Sequence, residues 1–260
     1  MAALAAEAPD AKRSKDDGEA LGELMYFPLW AKGLQLALIA EASGLPWTGA
    51  VPGDTEGGWK AVKATGVAPF DQLPILTTPS GLVLAQSIAI ANYIGKKGNM
   101  LGSTDEEFGL GQMLMAEGED IYTMLQKQEL ARWKKPEVRA STAESRVQCY
   151  AEAVPKHLTF LEKLITARGE GGNFTSSGET AGELYLFGML LQLRTAAEPS
   201  AGDVFACAPK VKAWFEKLES HVAVRKVLDG QSAMGAHFGE ATGAPYFLND
   251  AAYEKFNAPK

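Results

Sequence analysis

The chain has 260 residues, 46% apolar and 22% charged, which is length enough for one or two domains with a substantial core. Its 25 Lys and Arg against 32 Asp and Glu leave a formal charge of -7, which argues against a general nucleic-acid binder. Two cysteines and three scattered histidines are too few for a disulfide framework or a Cys-based zinc site, and no apolar run reaches the ~18 residues of a membrane span. Composition therefore points to a soluble, intracellular protein and argues against metal chemistry; a cytoplasmic location is expected, with organelle targeting by the N-terminal arm left open.

Residues 1–20 are Ala-rich and highly charged, and they cannot bury enough surface to offset the entropy of ordering. They read as a mobile N-terminal arm. From 21 to 98 the pattern alternates. Leu24 to Phe27 make a short β run, and Leu34 to Ala42 a nearly wholly apolar helix stopped by Ser43-Gly44 and Pro46. Trp47 to Val51 follow as a second strand. Pro74 to Thr78, the turn Pro79-Ser80-Gly81 and Leu82 to Leu84 form a hairpin. Ser87 to Ile94 then read as a buried helix, so the order is βαβ followed by ββα.

From 104 to 228 only helices are expected. Thr104 caps the first, with Asp105, Glu106 and Glu107 in its opening turn, and the pattern predicts a run to about Lys135, before Pro136. A second is expected from Thr142 to Arg168, kinked at Pro155. After a Gly/Ser loop, Thr180 and Glu183 form a capping box that opens a helix from Leu184 to about Thr195. Pro209 to Leu218 and Val222 to Leu228 complete the set. The remaining 229–260 carry Tyr246, Phe247, Tyr253 and Phe256, which is too much apolar surface for a linker. This extension is expected to pack on the body at a place the sequence leaves open.

The residues that bear chemistry lie around the hairpin. Gln72-Leu73-Pro74 precedes a strand, and a cis bond at Pro74 would let Leu73 offer both its N–H and its C=O to a ligand. Gln86-Ser87 open a helix, where free N–H groups favour a carboxylate. Together these could hold a peptide-like anion along one sheet edge. Trp59 and Lys63, four residues apart, would share one helical face.

In these segments, Gln72 to Leu76 and Leu84 to Ile94 above all, the chain resembles the glutathione S-transferases of the tyrosine type, most closely the sigma class. The likeness runs from about Leu24 to Leu228. It implies a thioredoxin-like N-terminal domain, an α-helical C-terminal domain, a homodimer, and glutathione as co-substrate for attack on a small hydrophobic electrophile. Matched position by position, it gives Tyr26 the role of hydrogen-bonding the glutathione sulfur. Trp59 and Lys63 would hold the glycine carboxylate, Gln72, Leu73 and Pro74 the cysteinyl backbone, and Gln86 and Ser87 the γ-glutamyl carboxylate. Asp120 would reach the γ-glutamyl amine across the dimer. Lys32 stands where the sigma pattern has its second arginine, which keeps the charge but loses the bidentate fork. Pro28 and Trp30 also depart from that pattern, beside the thiol. Met113, Met115, Tyr122 and Trp133 are the expected walls of the electrophile cleft. The altered loop and the terminal extensions suit an alternative, a non-catalytic binding or structural subunit on the same fold.

Overall fold

Four short strands make one mixed sheet in the computed structural model, which describes residues 20–168, 171–242 and 244–258. Strand β1 (Gly22–Met25) runs parallel to β2 (Trp47–Ala50) and antiparallel to β3 (Ile75–Thr77), which pairs in turn with β4 (Val83–Ala85). The order is β2-β1-β3-β4. The expected N-terminal arm lies outside the described residues except for Ala20.

Helix α1 (Leu34–Ala42) connects β1 to β2, and its uniform apolarity follows from burial on every side. It packs on the sheet domain's α3 (Ser87–Lys97) and also on α8 (Ala181–Ala196) and α10 (Val222–Leu228) of the helical domain. The short α2 (Gly58–Ala64) lies between β2 and β3. One core thus runs through both domains without a break, from Leu24 and Ile39 to Phe187 and Trp214.

The helical domain begins with α4 (Asp105–Lys127), capped as expected by Thr104, whose Oγ1 accepts the Glu107 N–H at 3.2 Å. The helix does not continue to Lys135. It stops at Lys127, and Glu129 takes φ +55. The physical reason is distant in sequence: the backbone of Leu130 and Arg132 is paired with the C-terminal extension, Leu248 N–H to Leu130 C=O and Arg132 N–H to Tyr246 C=O, both at 3.0 Å. These groups cannot also serve a helical ladder.

The second expected helix, 142–168, forms over nearly its whole length, with a π turn within it and an additional short helix ahead of it. A short α5 (Pro136–Ser141) is followed by α6 (Ala143–Gln148), a π turn over Cys149–Ala153, and α7 (Val154–Arg168). Val154 N–H bonds Cys149 C=O, five residues back, immediately before Pro155. The wider turn makes room for a proline ring that would clash with a regular α-turn. Helices α4 and α8 form the largest helix contact of the domain and touch at Gly111 and Gly182. A Cβ on Gly182 would stand 2.5 Å from the Gly111 backbone, so only glycine allows this approach. Helix α9 (Pro209–Glu219), α10 and a final α11 (Asp250–Asn257) close the chain. Among the described residues no helix is long and apolar enough to cross a membrane.

Candidate active site

A cavity of about 320 Å³ lies between the two domains, lined by Tyr26, Phe27, Leu29, Lys32, Leu73, Tyr122, Gln126, Trp133 and Tyr246 among others. Tyr26 follows directly on β1, and its ring packs over Gly33, where a Cβ would come within 2.3 Å of Cδ1. The phenol oxygen accepts the backbone N–H of Lys32 at 3.0 Å. That bond occupies a lone pair and leaves the O–H proton free to donate. Burial holds the Tyr26 pKa well above the usual tyrosine value, so at neutral pH this group is a donor and never a phenolate.

Lys32 pairs with Glu119 of α4 and lies 4.0 Å over the face of Tyr122. Burial lowers its pKa, and the Glu119 carboxylate opposes that shift. Glu119 also accepts the hydroxyl of Tyr185 on α8, which in turn stands 3.0 Å from Ser87 Oγ. Tyr185 has one proton and the carboxylate must receive it, so the Ser87 hydroxyl donates to the Tyr185 oxygen. A polar chain therefore runs Lys32–Glu119–Tyr185–Ser87 and joins the loop after β1 to the start of α3. Sequence reasoning missed both Glu119 and Tyr185. An acidic run on a helix reads as a solvated face, and only the α4–α8 packing turns Glu119 inward.

At the sheet edge the Leu73–Pro74 peptide is cis, and Leu73 lines the cavity. Gln86 has φ +70 immediately before Ser87 opens α3. A left-handed glutamine costs about 1–3 kcal/mol, which the surrounding structure must supply, and such outliers collect at ligand sites. Trp59 packs edge-on against Phe27, with ring centroids 5.9 Å apart. Lys63 stands 6.0 Å from the Trp59 ring, so the two do share a face of α2, although Lys63 also pairs with Asp71 at 3.4 Å. Gln72 precedes Leu73 and is exposed. Asp120 stands apart from this group on the exposed side of α4, where its charge acts on His157.

Of the four walls expected for the electrophile cleft, Tyr122 and Trp133 line the cavity. Met115 is fully buried in the core and Met113 is exposed, so neither serves. Trp30 has a different part from the one expected. It is wholly buried, its indole N–H donates to Phe238 C=O at 2.8 Å, and its backbone N–H donates to Ala244 C=O at 2.9 Å. The departure from the sigma pattern at this position anchors the C-terminal extension. That extension brings in Tyr246, a wall that sequence reasoning did not assign. Its one signal was the density of aromatic residues beyond Gly239.

A mixed four-stranded sheet with a tyrosine at the end of β1, a cis-proline edge and an all-helical second domain define the glutathione S-transferase fold. Comparison with known proteins agrees. Residues 127–230 match the model of the glutathione S-transferase C-terminal domain. A curated glutathione S-transferase of Plasmodium falciparum is 28% identical over 145 residues, 55% of this chain. The match spans 63% of that relative's length. The solved glutathione S-transferase of Ascaris lumbricoides superposes with a TM-score of 0.66 at 24% identity, covering 78% of this chain and 94% of that one. The prostaglandin synthase D of Nilaparvata lugens gives 0.63 at 20%, covering 80% and 96%. At these identities the structures speak for the fold. The domain match and the curated relative are further likenesses to glutathione S-transferases.

Proposed function

We propose that the chain is a glutathione transferase of the tyrosine type, nearest the sigma class, conjugating glutathione to small hydrophobic electrophiles. The observation that carries this reading is the Tyr26 phenol: it borders the interdomain cavity, is neutral, and has its oxygen held by Lys32 N–H while its proton is free. A thiol with an ordinary pKa of about 8.5 is mostly protonated at neutral pH, and the thiolate is the nucleophile. One hydrogen bond to the charged sulfur, at about 1.5–3 kcal/mol, would lower that pKa by about one to two units.

The peptide moiety would lie along the cis-proline edge. Leu73 would receive the cysteinyl backbone beside Gln72 and Pro74, Gln86 and Ser87 the γ-glutamyl carboxylate, and Trp59 and Lys63 the glycine carboxylate. Lys32 and Lys63 would meet the anionic ligand, each in competition with its own carboxylate partner, Glu119 and Asp71. Asp120 would act on the site of a second copy. Exposed Phe70, Leu82, Phe108 and Met113 are apolar surface that a homodimer partner would cover. The unpaired thiols of Cys149 and Cys207 suit a reducing, cytoplasmic setting.

Two measurements test the reading together: retention on immobilised glutathione, and conjugation of a generic aromatic electrophile. Tyr26→Phe is expected to keep retention and to lower conjugation at least about tenfold, equivalent to about 1.4 kcal/mol of barrier. The pH at which bound glutathione ionises should rise in the same variant. Retention with no turnover in the unaltered protein would instead support a binding subunit.

A further inference from the structure

Two buried amides hold the loop after β1. Gln192 of α8 donates its Nε2–H to Ala31 C=O at 3.0 Å, and Gln35 of α1 donates its Nε2–H to Lys32 C=O at 3.0 Å. The nitrogen of each amide must face the loop, because a backbone carbonyl can only accept. The far ends of the same two peptide units are also taken: Lys32 N–H donates to the Tyr26 oxygen at 3.0 Å, and Gly33 N–H to Trp30 C=O at 2.7 Å. A peptide unit is planar and rigid, so a bond at its carbonyl end aims the N–H at the other. The N–H that meets Tyr26 is therefore aimed by Gln192, from 161 residues along the chain.

Packing does not account for an amide at this place. Gln192 is 1% exposed, and its Oε1 has no hydrogen-bond partner among the described residues. Methionine or leucine would fill a similar volume without leaving that acceptor unpaired. What the amide alone adds is its N–H. Ala31 gives an independent sign that the loop is held rather than merely filled. It is almost fully buried and takes φ +28, a conformation that alanine keeps only where its surroundings impose it. Gln192 is the side chain bonded to that residue's carbonyl, and its Nε2 is steadied in turn by Gly188 C=O at 3.4 Å. Gln35 differs, since it reaches a carbonyl only three residues back, an ordinary contact at a helix start.

We propose that Gln192 is a positioning residue, which through the Ala31–Lys32 peptide aims and polarises the Tyr26 hydroxyl for its bond to the glutathione sulfur. This rests on the glutathione-transferase reading above. The donors run in one direction: Gln192 N–H to Ala31 C=O, Lys32 N–H to the Tyr26 oxygen, Tyr26 O–H to sulfur. Hydrogen bonds aligned in this way strengthen one another by about 10–30% each. Without the first link the Ala31 carbonyl is buried and unpaired, the peptide is free to turn, and the phenol loses the donor that fixes its oxygen. Gln192 itself touches no substrate, so its whole effect passes through Tyr26.

A double-mutant cycle on the full chain tests this, read as the pH at which bound glutathione ionises, by thiolate absorbance, and as conjugation of a generic aromatic electrophile. Gln192→Met keeps the length of the side chain and removes the N–H. It is expected to raise the ionisation pH by about 0.5 unit or more, and to lower kcat at about pH 6.5 at least about threefold, since the thiolate fraction falls by the same factor. KM for glutathione should change less than about twofold. In the Tyr26→Phe background the same substitution should leave both the ionisation pH and kcat nearly unchanged. An equal loss in both backgrounds, a change confined to KM, or no change in either background would overturn the proposal.

A second measurement needs no glutathione. Hydrogen exchange of the Lys32 backbone N–H should quicken at least about tenfold in Gln192→Met, while the Trp30 indole N–H keeps its rate. If the unaltered protein neither retains nor conjugates glutathione, the transferase reading fails; exchange then decides alone, and an unchanged Lys32 rate would refute the hold of Gln192 on this peptide. Gln192→Leu serves the same tests should the methionine variant not fold. The unaltered protein gives a check without any variant: its Gln192 side-chain amide should be protected from exchange, and rapid exchange there would refute the proposal.

Discussion

The cavity has two walls of opposite origin. The loop Tyr26–Gly33 stands directly after a strand and is supported from beneath by α8, where Gln192 donates to Ala31 C=O at 3.0 Å. The segment Ala244–Asp250 arrives from more than two hundred residues away and is supported by charge, with one carboxylate between two buried guanidinium groups. The first wall carries the tyrosine that the family resemblance points to. The second rests on Trp30, which departs from that resemblance. One cavity thus joins a wall set by a strand-end loop to a wall that a distant tail and one anchoring residue, Trp30, bring in.

The largest expected effect would separate the two supports by pH. Helix α8 begins at the Thr180 cap, and Glu183 in its first turn accepts the N–H groups of Phe174 and Thr175. Burial pushes the Glu183 carboxyl up to about 7, against these hydrogen bonds. The folded state then holds a proton that the unfolded chain, at about 4.5, has released. The stabilisation is complete below about pH 4.5 and is lost as pH rises through about 7, amounting to about 3 kcal/mol. Chemical denaturation at pH 5 and pH 8 should show this loss, and Glu183→Gln should flatten it.

Next in size is Asp250→Ala, which leaves Arg139 and Arg146 with carbonyl and hydroxyl acceptors only. Because Asp250 is itself half exposed, the loss is expected at about 2 kcal/mol, below that of a fully buried pair. Proteolysis within residues 244–258 should accelerate while retention on glutathione persists. Loss of retention would show that the walls are not separable. The smallest effect is Trp30→Phe, which removes the N–H to Phe238 C=O for about 1–2 kcal/mol. It should loosen the same tail, read as faster amide exchange at Phe247 and Leu248, and leave the Lys32 N–H bond to Tyr26 in place.

Much of this was legible in the sequence because it is local. A nearly continuous apolar run marks α8, and the uniform apolarity of Leu34 to Ala42 marks a helix buried on every side. Thr104 and Thr180 cap where Ser and Thr residues cap. Spacing placed Trp59 and Lys63 on one face, and the strand-Pro and helix-Ser elements marked the edge where the proposed ligand would lie. What the sequence could not decide depends on partners far along the chain. Helix α4 ends at Lys127 because Tyr246 and Leu248 take the backbone of the residues beyond. Glu119 faces inward because Gly111 and Gly182 bring α4 and α8 close enough for Tyr185 to reach it. Tyr246 enters the cavity because two buried arginines find one aspartate 104 and 111 residues away. Local propensity fixes which segments can become helix or strand; only packing decides which backbone groups remain free to pair, and so where each element ends and which side chains meet.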